Sequence, residues 1–140
     1  MESKQLNQSY WLLRVVFGAV PIVAGLDKFT NLLTDWQQYL SPIVARIIPA
    51  ATFMQVVGLV EILAGVLVLS KFTRIGAYVV AGWLVAIAFN LLTTGRYFDV
   101  AVRDLVMAAG AFVLAKLEEV REQSGAHELH SDASLGRAHA

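Results

Sequence analysis

The most chemically informative feature of this sequence is an apolar segment with one carboxylate near its middle. Glu61 lies in the run Val57 to Leu69, whose other residues are aliphatic or glycine. A charged side chain at membrane depth costs about 2.5–3.5 kcal/mol or more on insertion scales, so such residues are usually paired or functional. The sequence therefore predicts partners for Glu61 on other segments.

Further polar residues lie inside or at the ends of other apolar segments. Asp104 is a second carboxyl group, and Glu61 and Asp104 are the two candidate catalytic residues. Burial favours the uncharged form of a carboxyl group, so Glu61 is the first candidate for proton exchange. Trp83 lies within an apolar segment, where core packing is the commoner role and lining a pocket is the alternative. The predicted pocket and polar network consists of Arg14, Asp27, Lys28, Glu61, Trp83, Asn90, Arg103 and Asp104.

Composition indicates that these residues belong to a membrane protein. The chain has 140 residues, 57% of them hydrophobic and 16% charged, with a mean hydropathy of +0.61. Soluble domains are about half apolar and one quarter charged. The apolar residues form four blocks, which predict transmembrane helices over about 10–33, 52–70, 75–92 and 100–117. A cleaved signal peptide ending near Ala24-Gly25 is the alternative for the first block, but the apolar stretch continues beyond it.

The predicted fold is all-α: a four-transmembrane-helix bundle over residues 1–120. Apolar residues between Pro42 and Pro49, together with Arg46, predict a short interfacial helix in the first loop. A plain surface loop is the alternative. Residues 121–140 are polar and have no apolar periodicity, which predicts a disordered C-terminal tail.

Lysine and arginine residues near the ends of the spans favour a cytoplasmic location for both termini. In that orientation, helix rise places Asp27, Glu61, Asn90 and Asp104 in the outer half of the membrane. Arg103 and Lys28 are then expected to neutralise the three carboxylates, and Asn90 to complete hydrogen bonds.

Arg14 lies near the other surface, where its side chain can snorkel towards water.

Two interpretations of the outer network remain open. It is either a clasp that fixes helix packing, or a polar pocket suited to a quinone-like head group or a proton path.

The residue types exclude several kinds of chemistry. The chain contains no cysteine, so it cannot supply thiol chemistry, disulfides or cysteine ligands to an iron–sulfur cluster. Its histidines, His127, His130 and His139, all lie in the predicted tail, so no intramembrane histidine can ligate a haem. No metal site is predicted. A formal net charge of zero gives no electrostatic case for nucleic acid.

Three segments resemble motifs of the DoxX family. They are Leu12–Gly18 with Ala24–Phe29, Gly58–Leu69 followed by Thr73-Arg74, and Asp104–Ala111. The resemblance implies a four-helix integral protein of the bacterial cytoplasmic membrane. Named members of the family are linked to redox chemistry, as a subunit of a thiosulfate:quinone oxidoreductase and as a membrane partner of oxidative-stress enzymes.

These features together favour a membrane subunit of a quinone-linked redox system, with quinone as the candidate cofactor. A stand-alone thiol enzyme is excluded by the lack of cysteine. The alternatives are a non-catalytic accessory subunit that docks beside a larger membrane complex and, less favoured, a small-solute transporter. The expected partners are the lipid bilayer and either other membrane subunits or a second copy of the chain.

Overall fold

A computed structural model describes residues 3–139 of the chain, and these residues form helices joined by short connections. The helices are α1 (Lys4–Asp27), a 3-10 turn (Trp36–Tyr39), α2 (Pro42–Ala45), α3 (Ala50–Leu69), α4 (Thr73–Thr93) and α5 (Phe98–Ala138). No strand occurs among residues 3–139. The predicted all-α class is confirmed.

Three helices, α1, α3 and α4, are long and apolar enough to cross a membrane. The residues predicted to form a fourth span, 100–117, lie in α5 and pack along α4. This part of α5 carries Arg103, Asp104 and Lys116, and α5 is not among the helices that qualify by length and composition. The fourth span stays a prediction.

The first helix begins and ends earlier than the predicted span of 10–33. It begins at Lys4, where the Ser3 hydroxyl accepts a hydrogen bond from the Leu6 amide. It ends at Asp27, because the Asp27 carboxylate accepts hydrogen bonds from the amides of Leu32 and Leu33 and folds the chain into a turn. A side chain that captures downstream amides in this way competes with continuation of the helix.

Glycines bring α1 and α3 into backbone contact. Gly18 lies against Gly65 and Gly25 against Gly58, so the two helices run antiparallel with glycines two turns apart on each. A Cβ atom on Gly58 would lie 2.6 Å from the Gly25 carbonyl oxygen, closer than real Cβ contacts allow. Small residues permit this close approach of membrane helices. The glycine faces of α1 and α3 are therefore used for packing inside the bundle.

The remaining helices complete a bundle in the spatial order α1, α3, α4, α5. The main apolar core draws on all four, with Tyr10, Val68, Ala77 and Leu114 among its buried members. Contact is most extensive between α4 and α5 and between α1 and α3, and much less extensive between α1 and α5. Antiparallel neighbours give the bundle two ends. We call the end with Asp27, Ala50 and Thr93 the loop end, and the opposite end the turn end.

The first loop contains two short helical segments. Pro42 is the first residue of α2, which is a single turn, and Pro49 is the N-cap of α3. Proline suits both positions because it lacks an amide hydrogen. The helix in this loop therefore exists over Pro42–Ala45, while its position in the membrane interface stays a prediction.

The prediction of a disordered tail is wrong, because α5 continues as a helix to Ala138. Residues 122–138 are exposed along their whole length. Once a helix has emerged from the bundle, each added residue gains a hydrogen bond without a new nucleation cost. The tail includes glutamate, arginine, glutamine and alanine, which favour helix, so apolar periodicity is not required. An ion pair between Arg74 and Glu122 holds its first turn, with Nη1 and Oε2 3.0 Å apart.

Candidate functional site

A buried ion pair joins α1 and α3 near the loop end. The Lys28 ammonium donates to Glu61 Oε2 at 2.7 Å, and the two side chains are 5% and 8% exposed. The geometry follows from the glycine contact, because Gly58 lies one turn before Glu61 and admits Lys28 beside it. Lys28 is thus the partner of Glu61, one of the two that the sequence offered.

Two indole rings complete the surroundings of the pair. Trp36, from the 3-10 turn, places its ring 3.7 Å from the Lys28 ammonium, which is a close cation–π contact. Trp83, from α4, directs Nε1 towards Glu61 Oε1 at 3.5 Å. The Lys28 ammonium is therefore covered on the loop side by an aromatic face, and Glu61 has an N–H group from a third helix.

Asp27 is buried but is not paired with Lys28 or Arg103 in the described residues, contrary to the prediction that one of these cations neutralises it. Its carboxylate accepts hydrogen bonds from Thr30 Oγ1 at 3.0 Å, from the Leu32 and Leu33 amides, and from Trp36 Nε1 at 2.7 Å. These donors all lie in the loop that follows it. Asp27 therefore acts as a latch that holds Trp36 over Lys28.

Asp104, from α5, is 5% exposed and lies close enough to Glu61 and Lys28 to interact with both electrostatically. Its ion-pair partner is Arg103, whose Nε lies 3.8 Å from Asp104 Oδ1 and whose side chain is 66% exposed. This separation is at the long limit for an ion pair, and the guanidinium is mostly exposed. The structure therefore places a second buried carboxyl group within electrostatic range of the Lys28–Glu61 pair.

Asn90 binds the first loop. We predicted that it would complete hydrogen bonds to the buried carboxylates, but its side-chain partners within residues 3–139 are backbone groups of that loop. Its Nδ2 donates to the Tyr39 carbonyl at 2.7 Å, and its Oδ1 accepts from the Ser41 amide at 3.1 Å. Tyr39 also packs edge to face on Tyr97, with ring centroids 4.8 Å apart. Asn90 thus fastens the loop to α4 at a second point.

Arg14 lies at the turn end, far from the other predicted site residues. Its guanidinium donates to the carbonyl oxygens of Val68, Leu69 and Ser70 at 3.1, 3.0 and 2.8 Å, respectively. These are the last carbonyls of α3, which lack partners inside the helix and attract a cation. Arg14 is therefore a cap that joins α1 to the turn between α3 and α4.

Sequence reasoning missed the role of Trp36. Its indole was not predicted to lie at the site, whereas the structure brings it to the ion pair. One signal was available in the sequence: Asp27 and Lys28 are adjacent at a helix end, and a tryptophan follows in the loop. An indole can donate a hydrogen bond to the carboxylate and place its ring over the ammonium. The spacing between Lys28 and Trp36 in the sequence does not indicate that the first loop folds back over the end of α1.

A small cavity of about 10 Å³ lies at the turn end, lined by Leu6, Tyr10, Leu117, Val120 and Arg121. It is just large enough for one water molecule. It is separate from the loop-end residues, where the sequence predicted a pocket. No group of three or more histidine, aspartate or glutamate side chains suited to a metal occurs within residues 3–139.

The chemistry that this arrangement can perform is limited to polar recognition and proton exchange. We call Lys28, Glu61, Trp83 and Asp104 the loop-end layer. It offers two N–H donors and two carboxyl groups to a small polar group between the helices, and Trp36 covers it. The same contacts also fix the relative positions of α1, α3 and α4, so the layer is structural as well.

Comparison with known proteins provides the family. The family model described as DoxX matches residues 10–93, which include Arg14, Lys28, Glu61 and Trp83 and end before Asp104. No curated protein and no solved structure matches the chain. Because the matched region spans more than half of the sequence, this chain belongs to the DoxX family.

Proposed function

We propose that this protein is a membrane subunit of a quinone-linked redox system and that the loop-end layer binds the quinone head group. The observation that carries the proposal is that the layer contains two carboxyl groups but one ammonium group. Glu61 is paired directly with the Lys28 ammonium, whereas Asp104 is within electrostatic range of both groups and has the exposed guanidinium of Arg103 as its ion-pair partner. A buried carboxyl group with incomplete neutralisation is a typical feature of intramembrane functional sites.

The donors and acceptors of the layer suit both redox forms of such a ligand. Carbonyl oxygens of a quinone accept hydrogen bonds, which Lys28 and the Trp83 indole can donate. Hydroxyl groups of a quinol donate hydrogen bonds, which Asp104 and Glu61 can accept. Reduction of a quinone takes up two protons with two electrons. Asp104 would relay these two protons in turn from the aqueous side, and both electrons would come from a partner chain. Glu61, the first candidate from the sequence, is less suited to this role because it is paired with Lys28.

The membrane arrangement that accompanies this proposal has four spans, with residues 100–117 of α5 as the fourth. Both termini then lie on one side of a bacterial inner membrane. The turn end and the termini carry Lys4, Lys71, Arg74, Lys116 and Arg121. At the loop end the charge of Lys28 is neutralised by Glu61 in the buried pair. The remaining basic residues at that end are Arg46, Arg96 and Arg103. The positive-inside rule therefore favours the cytoplasm for the turn end.

The decisive experiment measures quinone binding by the purified protein. Quinones that co-purify in mild detergent are extracted and identified, and a soluble quinone analogue is then titrated while tryptophan fluorescence is followed. We expect quenching that is weaker in Trp83→Phe, where Trp36 remains as the second indole beside the site. Asp104→Asn should weaken binding by about tenfold, the value of one charge-assisted hydrogen bond. The matched control is Asp99→Asn, an exposed carboxyl group at the start of the same helix.

The alternative function, an accessory subunit without a ligand, makes the opposite prediction. The wild-type protein would bind no quinone and would co-purify with a larger membrane complex. Neither Asp104→Asn nor Asp99→Asn would then change the quinone titration. The loop-end layer would only hold the helices together.

A further inference from the structure

Different parts of the protein separate the loop-end layer from water and from lipid. The first loop covers it towards water, and packed helices surround it towards lipid. Towards water, Trp36 lies over Lys28 and is held by the Asp27 latch, and Asn90 fastens the same loop to α4. These are several directional hydrogen bonds to a covering segment. A ligand that came from the aqueous side would have to break them together.

Towards lipid, the weakest side of the bundle is the seam between α1 and α5. These two helices lie side by side but meet less extensively than the other neighbouring pairs. Their described contacts are found near the turn end and the middle of the bundle. Arg121 lies 4.0 Å from the Tyr10 ring centroid and donates to Asn7, and Phe17 packs on Gly110.

The core follows the same division. The main apolar cluster includes Tyr10, Leu13 and Phe17 from α1 together with residues of α5. The cluster at the loop end joins α4, α5 and the first loop through Ala88, Leu91, Ala101 and Tyr39, and it contains no residue of α1. Apolar packing therefore ties α1 to α5 on the turn-end side of Phe17, and no apolar cluster among residues 3–139 does so at the level of Asp104.

We infer that the ligand reaches the loop-end layer sideways from the bilayer, through the α1–α5 seam, and is therefore a lipid-dissolved molecule with a small polar head. This inference rests on the proposed function and adds the route by which the quinone reaches the site. Asp104 is 5% exposed, so the seam is closed in this structure. Access requires α1 and α5 to separate locally, which breaks few contacts.

The absence of cysteine from the chain allows a direct test by cross-linking. Ala24→Cys with Met107→Cys places one thiol on each side of the seam towards the loop end, beyond the contact of Phe17 with Gly110. Both positions are partly buried. The matched control is Leu13→Cys with Leu117→Cys, two partly buried positions on the same helices towards the turn end. A flexible bis-maleimide of about 10 Å, roughly two helix turns, can join either pair.

Each protein is reconstituted into vesicles that contain a long-chain isoprenoid quinone, and loading is followed by quenching of Trp83. Cross-linking of the 24–107 pair should slow loading by about tenfold or more, because binding that needs a conformational change is limited by that change. Cross-linking of the 13–117 pair should leave the rate unchanged. Asp27→Asn, which loosens the hold on Trp36 at the water side, should not accelerate loading from the bilayer.

The outcomes separate the access route from the function. If the protein before cross-linking binds quinone and the 24–107 cross-link does not slow loading, the lateral route is wrong and the proposed function stands. If Asp27→Asn accelerates loading, the route runs through the first loop instead. If the protein before cross-linking binds no quinone at all, the proposed function and this inference both fail.

Discussion

Lys28 Nζ and Glu61 Oε2 lie 2.7 Å apart, and both side chains are almost completely buried between α1 and α3. The pair exists because glycines on both helices allow the backbones to touch one turn away. The same contact that holds the helices together thus holds the charges of the candidate site. A variant at either position therefore affects stability and ligand binding through one interaction.

Removal of one member of this pair should destabilise the protein strongly. Lys28→Met or Glu61→Gln leaves a buried charge without its partner, which costs about 3–5 kcal/mol in the free energy of unfolding. The double variant removes both charges and should regain most of that loss. Unfolding in detergent, followed by circular dichroism, gives the three values. A double variant as unstable as the sum of the singles would show that the two charges do not interact.

Addition of a methyl group at the α1–α3 contact should push the helices apart. Gly58→Ala places a Cβ atom against the Gly25 carbonyl and should cost about 1–3 kcal/mol, the usual penalty of overpacking. Gly82→Ala is the control, because no atom lies within 4 Å of its added Cβ in the middle of α4. That control should be neutral or stabilising by about 0.5–1 kcal/mol, since alanine favours helix over glycine. Equal effects at the two positions would contradict the close contact.

Replacement of the Arg14 cap should weaken the turn end without changing the loop end. Arg14→Lys keeps the charge but loses the guanidinium geometry that reaches three carbonyls, so we expect a loss of about 1.5–3 kcal/mol in unfolding free energy. Arg46→Lys, at an exposed position in the first loop, is the control. Quinone affinity should stay unchanged in both. A change in affinity with Arg14→Lys would link the turn end to the ligand site.

Loosening of the Asp27 latch should expose the first loop to protease. Asp27→Asn removes the negative charge that accepts from the loop amides and from Trp36, so the chain around Arg46 should be cleaved faster by trypsin. The rate of cleavage is measured on folded protein in detergent, with Asp99→Asn for comparison. Identical cleavage rates would show that the latch does not hold the loop.

Truncation of the exposed end of α5 should leave the bundle intact. A chain that ends after Gln123 retains the Arg74–Glu122 ion pair and the hydrogen bond from the Tyr78 hydroxyl to Glu119 at 2.6 Å. Its thermal midpoint should equal that of the full chain, while the helical circular dichroism signal falls. A chain that ends after Leu117 loses both contacts and should melt at a lower temperature. A fall in midpoint already at Gln123 would indicate that the tail packs on the protein.

The sequence alone was sufficient to predict the class of the protein. Apolar blocks of membrane-spanning length predicted helices, because in lipid each backbone polar group must be satisfied within its own segment. Glu61 in an apolar run predicted a buried partner. These inferences depend on local composition and periodicity, and the DoxX motifs are local as well.

Only the tertiary structure decided which charges meet. Helix rise places Asp27, Glu61, Asn90 and Asp104 at related depths but does not specify the direction in which each side chain points. Asp27 turned to the amides of its own loop because those donors are nearest in the chain, and Asn90 bonded the loop that folds over it. Lys28 reached Glu61 because Gly25 and Gly58 set the distance between α1 and α3, which is a property of the pair of helices and of neither sequence segment by itself.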